Sequence, residues 1–491
     1  MHKRGVLVIL DGYGEGPAGP YNAVKNANTP TLDSIKKNNL SLIKTDGEAV
    51  GLFEGELGGS EVGHTTIGAG RIVLSTAKKI AEDIASGEFA RNKKLLKKIE
   101  TLEKNAGNLH LVGFMSDKNI HSDINHAYEI MRIFNKRAQN IFIHFITDGR
   151  DSGIHDSIKY LKEMKSHMKD IQNCEIASVL GRFYMDREKN YDRTDLAIKT
   201  MFNTKDGIES KNLKSYLKSE HGKGITDEYI HPVHVMTKSD STLKKNDLVF
   251  FFNFREDRLR QIVERTASIN KNIITMSRVS SAKTTVLYPT SIVKGTLSER
   301  LSKLGLRQIK ISETTKYAHV TYYLNGGREA PFENEDRIHI PTIKTTDFSR
   351  TPKMRAKEIT DEVIKAMTEK YDAIIVNYSN PDMIGHTGNY DAVVKALEFI
   401  DKCISKLIKS AKEKDYSILF TADHGNSEQM MRADGTPHTA HTLNKVFMSI
   451  YTPDAEIKLK PQGELKDIAP TFLDLMNVKP NKYFTGESLI K

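Results

Sequence analysis

Short apolar runs that end in polar residues constrain the fold of this chain more than any other sequence feature. The first run is Val6–Leu10, which ends at Asp11. Later runs lead to a further set of polar residues: Arg150, Arg182, Asp382 and Asp423. Helical patterns lie between these runs. Strands that alternate with helices usually form mostly parallel sheets, and ligands bind at the carboxyl ends of such strands. The sequence therefore predicts an α/β fold with functional groups at the strand ends.

Length and composition narrow the class of protein. At 491 residues the chain exceeds what one hydrophobic core usually serves, so we expect two domains, with a linker where periodicity is lost at 268–291. The apolar run near the start is too short for a signal peptide or a membrane span. Cys174 and Cys403 lie far apart and give no disulfide framework. We therefore expect a cytoplasmic protein.

The formal net charge of +10 indicates anionic partners. These are either small acidic substrates or nucleic acid. The basic segment 93–98 has helically spaced apolar residues and no interleaved aromatic residues, so we interpret its lysines as a solvated helix face. Nucleic acid is not the expected partner, although a nucleic-acid-binding protein remains an alternative.

The segment Gly55–His64 places the hydroxyl of Ser60 among glycines and directly before a predicted helix start. Gly58 and Gly59 allow a tight turn that brings the backbone close to a bulky group. The free amide groups and the dipole of the following helix favour a phosphoryl dianion beside Ser60. Ser60 is thus a nucleophile candidate, and the alternative is an ordinary helix N-cap without chemistry.

Acidic residues and histidines recur after two apolar runs in the last third of the chain. They are Asp382 and His386, then Asp423 and His424, and further along His441. Carboxylate oxygens mixed with imidazoles suit Mn²⁺ or Zn²⁺, and the lack of thiolates argues against a structural zinc site. With Asp11 and Ser60 these residues suffice for two ions, and an ion beside Ser60 would lower the pKa of its hydroxyl. Two simpler alternatives are an Asp-Gly turn at Asp11 and structural roles for the histidines.

Five arginines follow strand-like runs in the middle of the chain: Arg150, Arg182, Arg187, Arg255 and Arg258. Arginine suits bidentate contacts with phosphate and carboxylate, whereas surface salt bridges are its more common role. A helix would place Arg255 and Arg258 on one face. Further along the chain, the pattern predicts Lys316 in a turn between a strand and a helix.

Ten segments in order resemble the family of cofactor-independent phosphoglycerate mutases, which belongs to the alkaline phosphatase superfamily. They are VLVILDGYG, GGSEVGH, IHSD, TDGRDS, GRFYMDR, NFREDRLRQ, SETTKYAHVTYYLNGG, NPDMIGHTG, TADHGN and LKDIAPTFLDLMNVKPNKYFTGESLI. They span nearly the whole chain. The resemblance implies two α/β domains with mostly parallel sheets. A phosphatase-like domain of residues 1–74 and 286–491 would carry an inserted transferase-like domain of residues 75–285.

The resemblance also implies an activity and its residues. Members interconvert 3-phosphoglycerate and 2-phosphoglycerate through a phosphoserine, here on Ser60, with two divalent ions such as Mn²⁺ and without 2,3-bisphosphoglycerate. One ion is implied at Asp382, His386 and His441, and the other at Asp11, Ser60, Asp423 and His424. Substrate binding is implied for His121, Arg150, Asp151, Arg182, Arg187, Arg255, Arg258 and Lys316. Lys316 would stabilise charge on the transferring oxygens, and Asp151 would move protons. We expect a monomer that binds neither nucleic acid nor membrane.

Several positions depart from the family pattern. Tyr13 and Tyr191 stand where the family has tryptophan, and GELGGS stands where it usually has GQMGNS. The segment between Arg182 and Arg187 is one residue shorter than the family pattern. None of these departures removes a metal ligand. A plain metal-dependent phosphatase of the same superfamily also remains an alternative, since it would keep the metal ligands without needing the arginines.

Overall fold

The computed structural model describes residues 2–203, 206–289 and 291–491. The chain divides into two compact units. Unit 1 consists of Met1–Ser75 and Ser291–Lys491, and unit 2 consists of Thr76–Thr290. The sequence predicts boundaries after residues 74 and 285, whereas the units divide after residues 75 and 290. The phosphatase-like and transferase-like roles of the two units stay predictions.

The strands and helices alternate along most of the chain. The strands are β1 (Arg4–Leu10), β2 (Ser41–Lys44), β3 (Leu109–Phe114), β4 (Ile141–Thr147), β5 (Cys174–Gly181), β6 (Ile208–Glu209), β7 (Val233–Met236), β8 (Leu248–Phe251), β9 (Ile273–Thr275), β10 (Thr285–Val286), β11 (Gln308–Glu313), β12 (Glu335–Ile340), β13 (Ala373–Tyr378), β14 (Tyr416–Thr421), β15 (Val446–Tyr451) and β16 (Gln462–Glu464). The helices are α1 (Ala23–Asn26), α2 (Pro30–Asn38), α3 (Ser60–Ala69), α4 (Thr76–Ala85), α5 (Lys93–Lys104), α6 (Ile124–Phe134), α7 (Ser157–His167), α8 (Tyr191–Phe202), α9 (Leu213–Gly222), α10 (Arg260–Ile269), α11 (Leu297–Lys303), α12 (Thr314–Ala318), α13 (Ala356–Thr368), α14 (Asn380–Gly385), α15 (Tyr390–Lys414) and α16 (Ile468–Leu475). A π-helical turn, His319–Tyr323, continues α12.

Unit 1 is built on one sheet. Within the described residues its strand order is β12-β11-β13-β1-β14-β15-β2-β16. β1 pairs in parallel with both β13 and β14, whereas β15 runs antiparallel to β14 and to β2. Residues 5–10 of β1 are fully buried, which explains their uninterrupted apolar sequence.

Unit 2 is built on a second sheet. Among the described residues its strand order is β10-β9-β8-β3-β4-β5-β7-β6. β7 is antiparallel to β5, and the other paired strands are parallel. The α/β fold class with two mostly parallel sheets is therefore confirmed. In the part of the chain that the structure describes, no helix combines the length and apolarity needed to cross a bilayer.

Three local predictions need correction. The chain returns to unit 1 at Ser291, inside the stretch 268–291 that was predicted as a linker. That stretch also contains β9 and β10, which are too short for their apolar pattern to be recognised. Lys316 lies within α12, not in a turn, because no glycine or proline interrupts the chain after β11. Arg255 and Arg258 do not share a helix face, since α10 begins only at Arg260 and both residues precede it.

Candidate metal centre and anion site

Three carboxylates meet at one edge of the unit 1 sheet. β1, β13 and β14 are adjacent and parallel, so their carboxyl ends lie at the same edge. Asp11 follows β1, Asp382 lies in α14 after β13, and Asp423 follows β14 with His424 beside it. The three carboxyl groups are almost fully buried. Buried carboxylates require cations or hydrogen-bond donors next to them.

Ser60 is the first residue of α3, and Gly59 is the N-cap. The alternative in which Ser60 is only an N-cap is therefore wrong. Its hydroxyl donates to Asp11 Oδ1 at 3.2 Å and lies 2.9 Å from His424 Nε2. Lys316 Nζ donates to Ser60 Oγ at 2.6 Å. The nucleophile candidate thus lies among charged and titratable groups at a helix start.

Asp382, His386 and His441 form one cluster of ligand atoms. Asp382 Oδ1 is 3.1 Å from His386 Nε2 and 3.4 Å from His441 Nε2. The two imidazole Nε2 atoms are 3.3 Å apart. Each ring is oriented through its other nitrogen, because His386 Nδ1 lies 2.7 Å from the carbonyl of Thr439 and His441 Nδ1 lies 2.8 Å from that of Gly58. Such backbone contacts direct Nε2 lone pairs toward a metal.

Asp11, Asp423 and His424 form a second cluster, and Ser60 lies beside it. His424 Nε2 is 3.4 Å from Asp11 Oδ1 and 3.6 Å from Asp423 Oδ2. Asp423 Oδ1 accepts a hydrogen bond from the Gly12 amide at 3.3 Å. Asp423 Oδ2 is buried and has no hydrogen-bond partner among the described residues. A buried carboxylate oxygen without a donor is a free ligand position for a cation.

The donors in unit 1 fit divalent ions. Ligand atoms of Asp382, His424 and His441 lie within 4.8 Å of one another, and so do those of Asp11, Asp423 and His424. Both groups mix carboxylate oxygen with imidazole nitrogen, which suits Mn²⁺ or Zn²⁺. His424 lies close to both groups, whereas the family resemblance assigns it to one ion only.

The charges of this centre are strongly coupled. Burial alone raises the pKa of Asp382, but the Lys316 ammonium and two neighbouring histidines hold it well below its ordinary value. Burial lowers the pKa of His424, yet the carboxylates of Asp423 and Asp11 outweigh it and raise the pKa to about 9. The same carboxylates raise the pKa of Lys316 despite its burial. The centre therefore attracts cations.

Sequence reasoning missed two side chains that orient this centre. His64 Nδ1 donates to the Ser60 carbonyl at 2.9 Å and lies 3.2 Å from Asp423 Oδ2. The Asn377 amide donates to His64 Nε2 at 3.1 Å and to Asp11 Oδ2 at 2.8 Å. One signal was available for Asn377, since it is the one polar residue among the apolar residues of AIIVN in β13. His64 lies one helical turn after Ser60 in α3, which also places it near the nucleophile.

In unit 2, Arg182 is the centre of a buried ion-pair cluster at the end of β5. Its Nη1 donates to Asp148 and, at 2.6 Å, to Asp151 Oδ2. Its Nη2 donates to His121 Nε2 at 3.0 Å. The Phe114 ring lies 5.0 Å from the guanidinium carbon. Asp148 was not predicted, because sequence alone does not show which carboxylate faces which arginine.

Asp257, also unpredicted, contacts three of the predicted substrate-binding residues. Its carboxylate lies 3.3 Å from His121 Nδ1, 2.9 Å from Arg187 Nη1 and 3.4 Å from Arg255 Nε. Burial raises the pKa of Asp257, but contacts with His121, Arg187 and Arg255 lower it well below its ordinary value. Arg187 and His121 thus contact the same carboxylate, despite the shortened segment between Arg182 and Arg187.

Arg150 and Arg258 differ in their surroundings. The Arg150 side chain is 54% exposed and pairs with Glu228 at 3.4 Å. Arg258 is buried, and its Nη1 donates at 3.3 Å to the carbonyls of Arg182 and Met185. Arg258 therefore supports the turn after β5 as well as adding positive charge.

Two buried guanidinium nitrogens of the unit 2 cluster have no hydrogen-bond partner among the described residues. They are Nε of Arg182 and Nε of Arg258. Unpaired buried donors are costly unless a ligand satisfies them. Two free guanidinium N–H groups in one cluster fit an anionic ligand.

Comparison with known proteins shows the family of the chain. Residues 3–480 match the family model of the Metalloenzyme superfamily. A 2,3-bisphosphoglycerate-independent phosphoglycerate mutase of Clostridium botulinum (strain Langeland) is 40% identical over 511 residues, which cover 100% of this chain and 99% of that protein. The 2,3-bisphosphoglycerate-independent phosphoglycerate mutase 2 of Methanosarcina barkeri is 39% identical over 515 residues, covering 99% of this chain and 98% of that protein.

One solved structure extends this likeness to three dimensions. The crystal structure of Leishmania mexicana phosphoglycerate mutase at low cobalt concentration has a TM-score of 0.65 and 27% identity, covering 100% of this chain and 98% of that one. Both the family model and the curated relatives span most or all of the chain. The chain therefore belongs to the 2,3-bisphosphoglycerate-independent phosphoglycerate mutase family, within the Metalloenzyme superfamily.

Proposed function

We propose that this chain interconverts 3-phosphoglycerate and 2-phosphoglycerate through a phosphoserine on Ser60, without 2,3-bisphosphoglycerate. The observation that carries the proposal is the position of Ser60 Oγ, 2.6 Å from Lys316 Nζ and 3.2 Å from Asp11 Oδ1. Both Ser60 and Lys316 line a cavity of about 410 Å³ in unit 1. The names of the relatives support the choice of substrate.

Two divalent ions belong to this proposal. Asp382, His386 and His441 would hold one ion, and Asp11, Ser60, Asp423 and His424 would hold the other. We infer Mn²⁺ from the mixture of carboxylate and imidazole donors. When bound, the ions supply positive charge that lowers the pKa of the Ser60 hydroxyl and stabilises charge on phosphoryl oxygens.

In the first half of the reaction, Ser60 Oγ loses its proton and attacks the phosphorus of 3-phosphoglycerate. The bond from Oγ to phosphorus forms, and the bond from phosphorus to substrate oxygen O3 breaks. O3 then takes up one proton, which balances the proton that Ser60 lost, and free glycerate results. Lys316 Nζ already donates to Ser60 Oγ and is therefore suited to neutralise charge on the transferring oxygens.

In the second half, the O2 hydroxyl of glycerate attacks the phosphoserine. O2 loses its proton, the bond from phosphorus to Ser60 Oγ breaks, and Ser60 regains a proton. Asp151 is our candidate for moving a proton between O2 and O3. Its Oδ2 accepts from Arg182 Nη1 at 2.6 Å and lies 3.7 Å from His121 Nε2, so its position is fixed by two other predicted substrate-binding residues.

The arginines distinguish a mutase from a phosphatase in this proposal. Glycerate must be retained while it turns, because water that reaches the phosphoserine first yields free phosphate. The unpaired Nε–H groups of Arg182 and Arg258 and the exposed guanidinium of Arg150 are suited to bind the carboxylate and phosphate of the substrate. A plain phosphatase would not need them.

A mutase assay without added 2,3-bisphosphoglycerate tests the proposal. Formation of 2-phosphoglycerate that stops on chelation and returns with Mn²⁺ is the expected result. Release of phosphate without 2-phosphoglycerate would instead support the phosphatase alternative.

The proposal also includes a cytoplasmic monomer, and light scattering should give a mass near 55.3 kDa.

A further inference from the structure

His319 lines the same cavity as Ser60 and Lys316 but belongs to neither predicted ligand set. It is the first residue of the π-helical turn His319–Tyr323, which directly follows the helix that contains Lys316. Single π-helical turns within α-helices frequently mark functional sites. His319 therefore requires an explanation beyond packing.

The His319 ring is held in one orientation. It stacks on the Tyr323 ring with centroids 5.3 Å apart, and it is tilted against the His64 ring at 5.5 Å. His64 in turn donates to the backbone carbonyl of Ser60. The His319 ring is thus fixed by neighbours that belong to the nucleophile's own surroundings.

The environment keeps the His319 imidazole neutral. Burial, together with the neighbouring His64 and Lys316, lowers the pKa of His319 to about 4. A neutral imidazole carries one N–H donor and one acceptor nitrogen. At neutral pH the ring can therefore donate one hydrogen bond without adding a charge.

The two ring nitrogens have different surroundings. His319 Nδ1 is buried and has no hydrogen-bond partner among the described residues. An orphaned buried N–H is rarer and costlier than an unpaired acceptor, so the proton belongs on Nε2. In the part of the chain that the structure describes, Nε2 makes no hydrogen bond to a protein group and, unlike Nδ1, is not a buried unpartnered atom. Since His319 lines the cavity, Nε2 is the nitrogen that a ligand can reach.

We propose that His319 donates a hydrogen bond from Nε2 to an oxygen of the phosphoryl group while that group is transferred to and from Ser60. This inference rests on the proposed mutase function and adds a residue to it. His319 exchanges no proton, so the balance of the transfer is unchanged. Its contribution is a fixed, uncharged donor that strengthens as negative charge develops on the phosphoryl oxygens.

Two substitutions separate the donor from the packing. His319→Phe keeps an aromatic ring against Tyr323 but removes the N–H group. His319→Gln keeps an N–H donor on a side chain of similar length. Removal of one fixed donor typically lowers kcat by about 10²-fold to 10³-fold. We expect that loss in His319→Phe with KM changed by less than about threefold, and at least tenfold recovery of kcat in His319→Gln.

His339→Phe is the matched control. His339 is exposed on β12, and it contacts Tyr317 and Thr314 without lining the cavity. This variant should keep wild-type kcat. For each variant, the rate of Ser60 phosphorylation is measured by rapid acid quench, and metal content and thermal midpoint are measured on the same preparation.

The outcomes are distinct. A His319→Phe enzyme with kcat within threefold of wild type overturns the inference, and so does a His319→Gln enzyme no faster than His319→Phe. If His319→Phe does not fold, His319→Gln is compared with wild type. A donor at this position should preserve most of the Ser60 phosphorylation rate, and a large loss of that rate in His319→Gln would overturn the inference. If the wild-type enzyme forms neither 2-phosphoglycerate nor phosphoserine, the proposed function fails and the inference fails with it.

Discussion

Alanine substitutions of Arg150 and Arg182 should differ strongly in their effect on the stability of unit 2. The Arg150 side chain is 54% exposed and pairs with Glu228 at 3.4 Å. An exposed ion pair contributes about 0–1 kcal/mol to the free energy of unfolding. Arg150→Ala should therefore shift the thermal midpoint by no more than about 4 °C.

Arg182→Ala should destabilise the fold far more. Arg182 is 1% exposed and pairs with Asp148 and Asp151. Its removal leaves the buried Asp148 carboxylate without its cation, which costs about 3–5 kcal/mol. For a unit of this size the thermal midpoint should fall by roughly 6–20 °C.

The effect of Arg150→Ala should appear in catalysis. Loss of one charge-assisted contact with substrate costs about 1.5–3 kcal/mol, or roughly tenfold to a hundredfold in kcat/KM. Because glycerate then escapes more often, the ratio of phosphate released to 2-phosphoglycerate formed should rise. Calorimetry measures the midpoint, and separate assays for phosphate and 2-phosphoglycerate measure the ratio. Arg132→Ala is the control, since Arg132 is an exposed arginine of α6 paired with Glu129.

The thermal midpoint and the product ratio test separate roles of these two arginines. If Arg150→Ala lowered the thermal midpoint as much as Arg182→Ala, the burial argument would be wrong. If Arg150→Ala kept the kcat/KM and product ratio of the Arg132→Ala control, Arg150 would have no part in substrate binding.

Three further predictions follow from other contacts. Burial lowers the pKa of Lys310 to about 7. Because the unfolded chain then holds a proton on Lys310 between pH 7 and 10 that the folded chain lacks, this residue should contribute a rise in stability of up to about 1.4 kcal/mol per pH unit in that window. Urea unfolding should therefore give a more positive slope of stability against pH in wild type than in Lys310→Met, and equal slopes would contradict this prediction. Asp423→Asn should bind one metal ion fewer per chain by elemental mass spectrometry, and an unchanged content would remove Asp423 from the ligands. Asp257→Asn should raise KM by about tenfold with little change in kcat, because the Asp257 carboxylate orients His121, Arg187 and Arg255. An unchanged KM would show that these three residues do not need the Asp257 carboxylate to bind substrate.

The strands of both sheets could be predicted where the apolar run was long enough. β1, β4 and β14 are buried and mostly apolar, and polar residues follow each of them at its carboxyl end. β9 and β10 were missed because two or three residues carry no detectable period. The helical position of Lys316 was missed because a strand passed into a helix without a glycine or proline to mark the change.

The residues of the metal centre could be predicted by type, but their orientation could not. Aspartates and histidines after strands indicate ligands. In the structure Asp11 and Asp423 lie in one group with His424, and Asp382 lies in a second group that shares His424. The hydrogen bonds from Asn377 to Asp11 and to His64 connect residues more than 300 positions apart, which no local pattern encodes. The same reason hid Asp148 and Asp257, since their roles depend on which arginine each one faces.

Phosphate on Ser60 during turnover would distinguish a phosphoserine route from any other. The enzyme is mixed with 3-phosphoglycerate in the presence of Mn²⁺, quenched with acid within one turnover, digested and analysed by mass spectrometry. We expect a phosphorylated peptide that contains Ser60, formed as fast as turnover and absent from Ser60→Ala and from chelated enzyme. Normal formation of 2-phosphoglycerate by Ser60→Ala, or turnover of wild type without phosphate on Ser60, would contradict it.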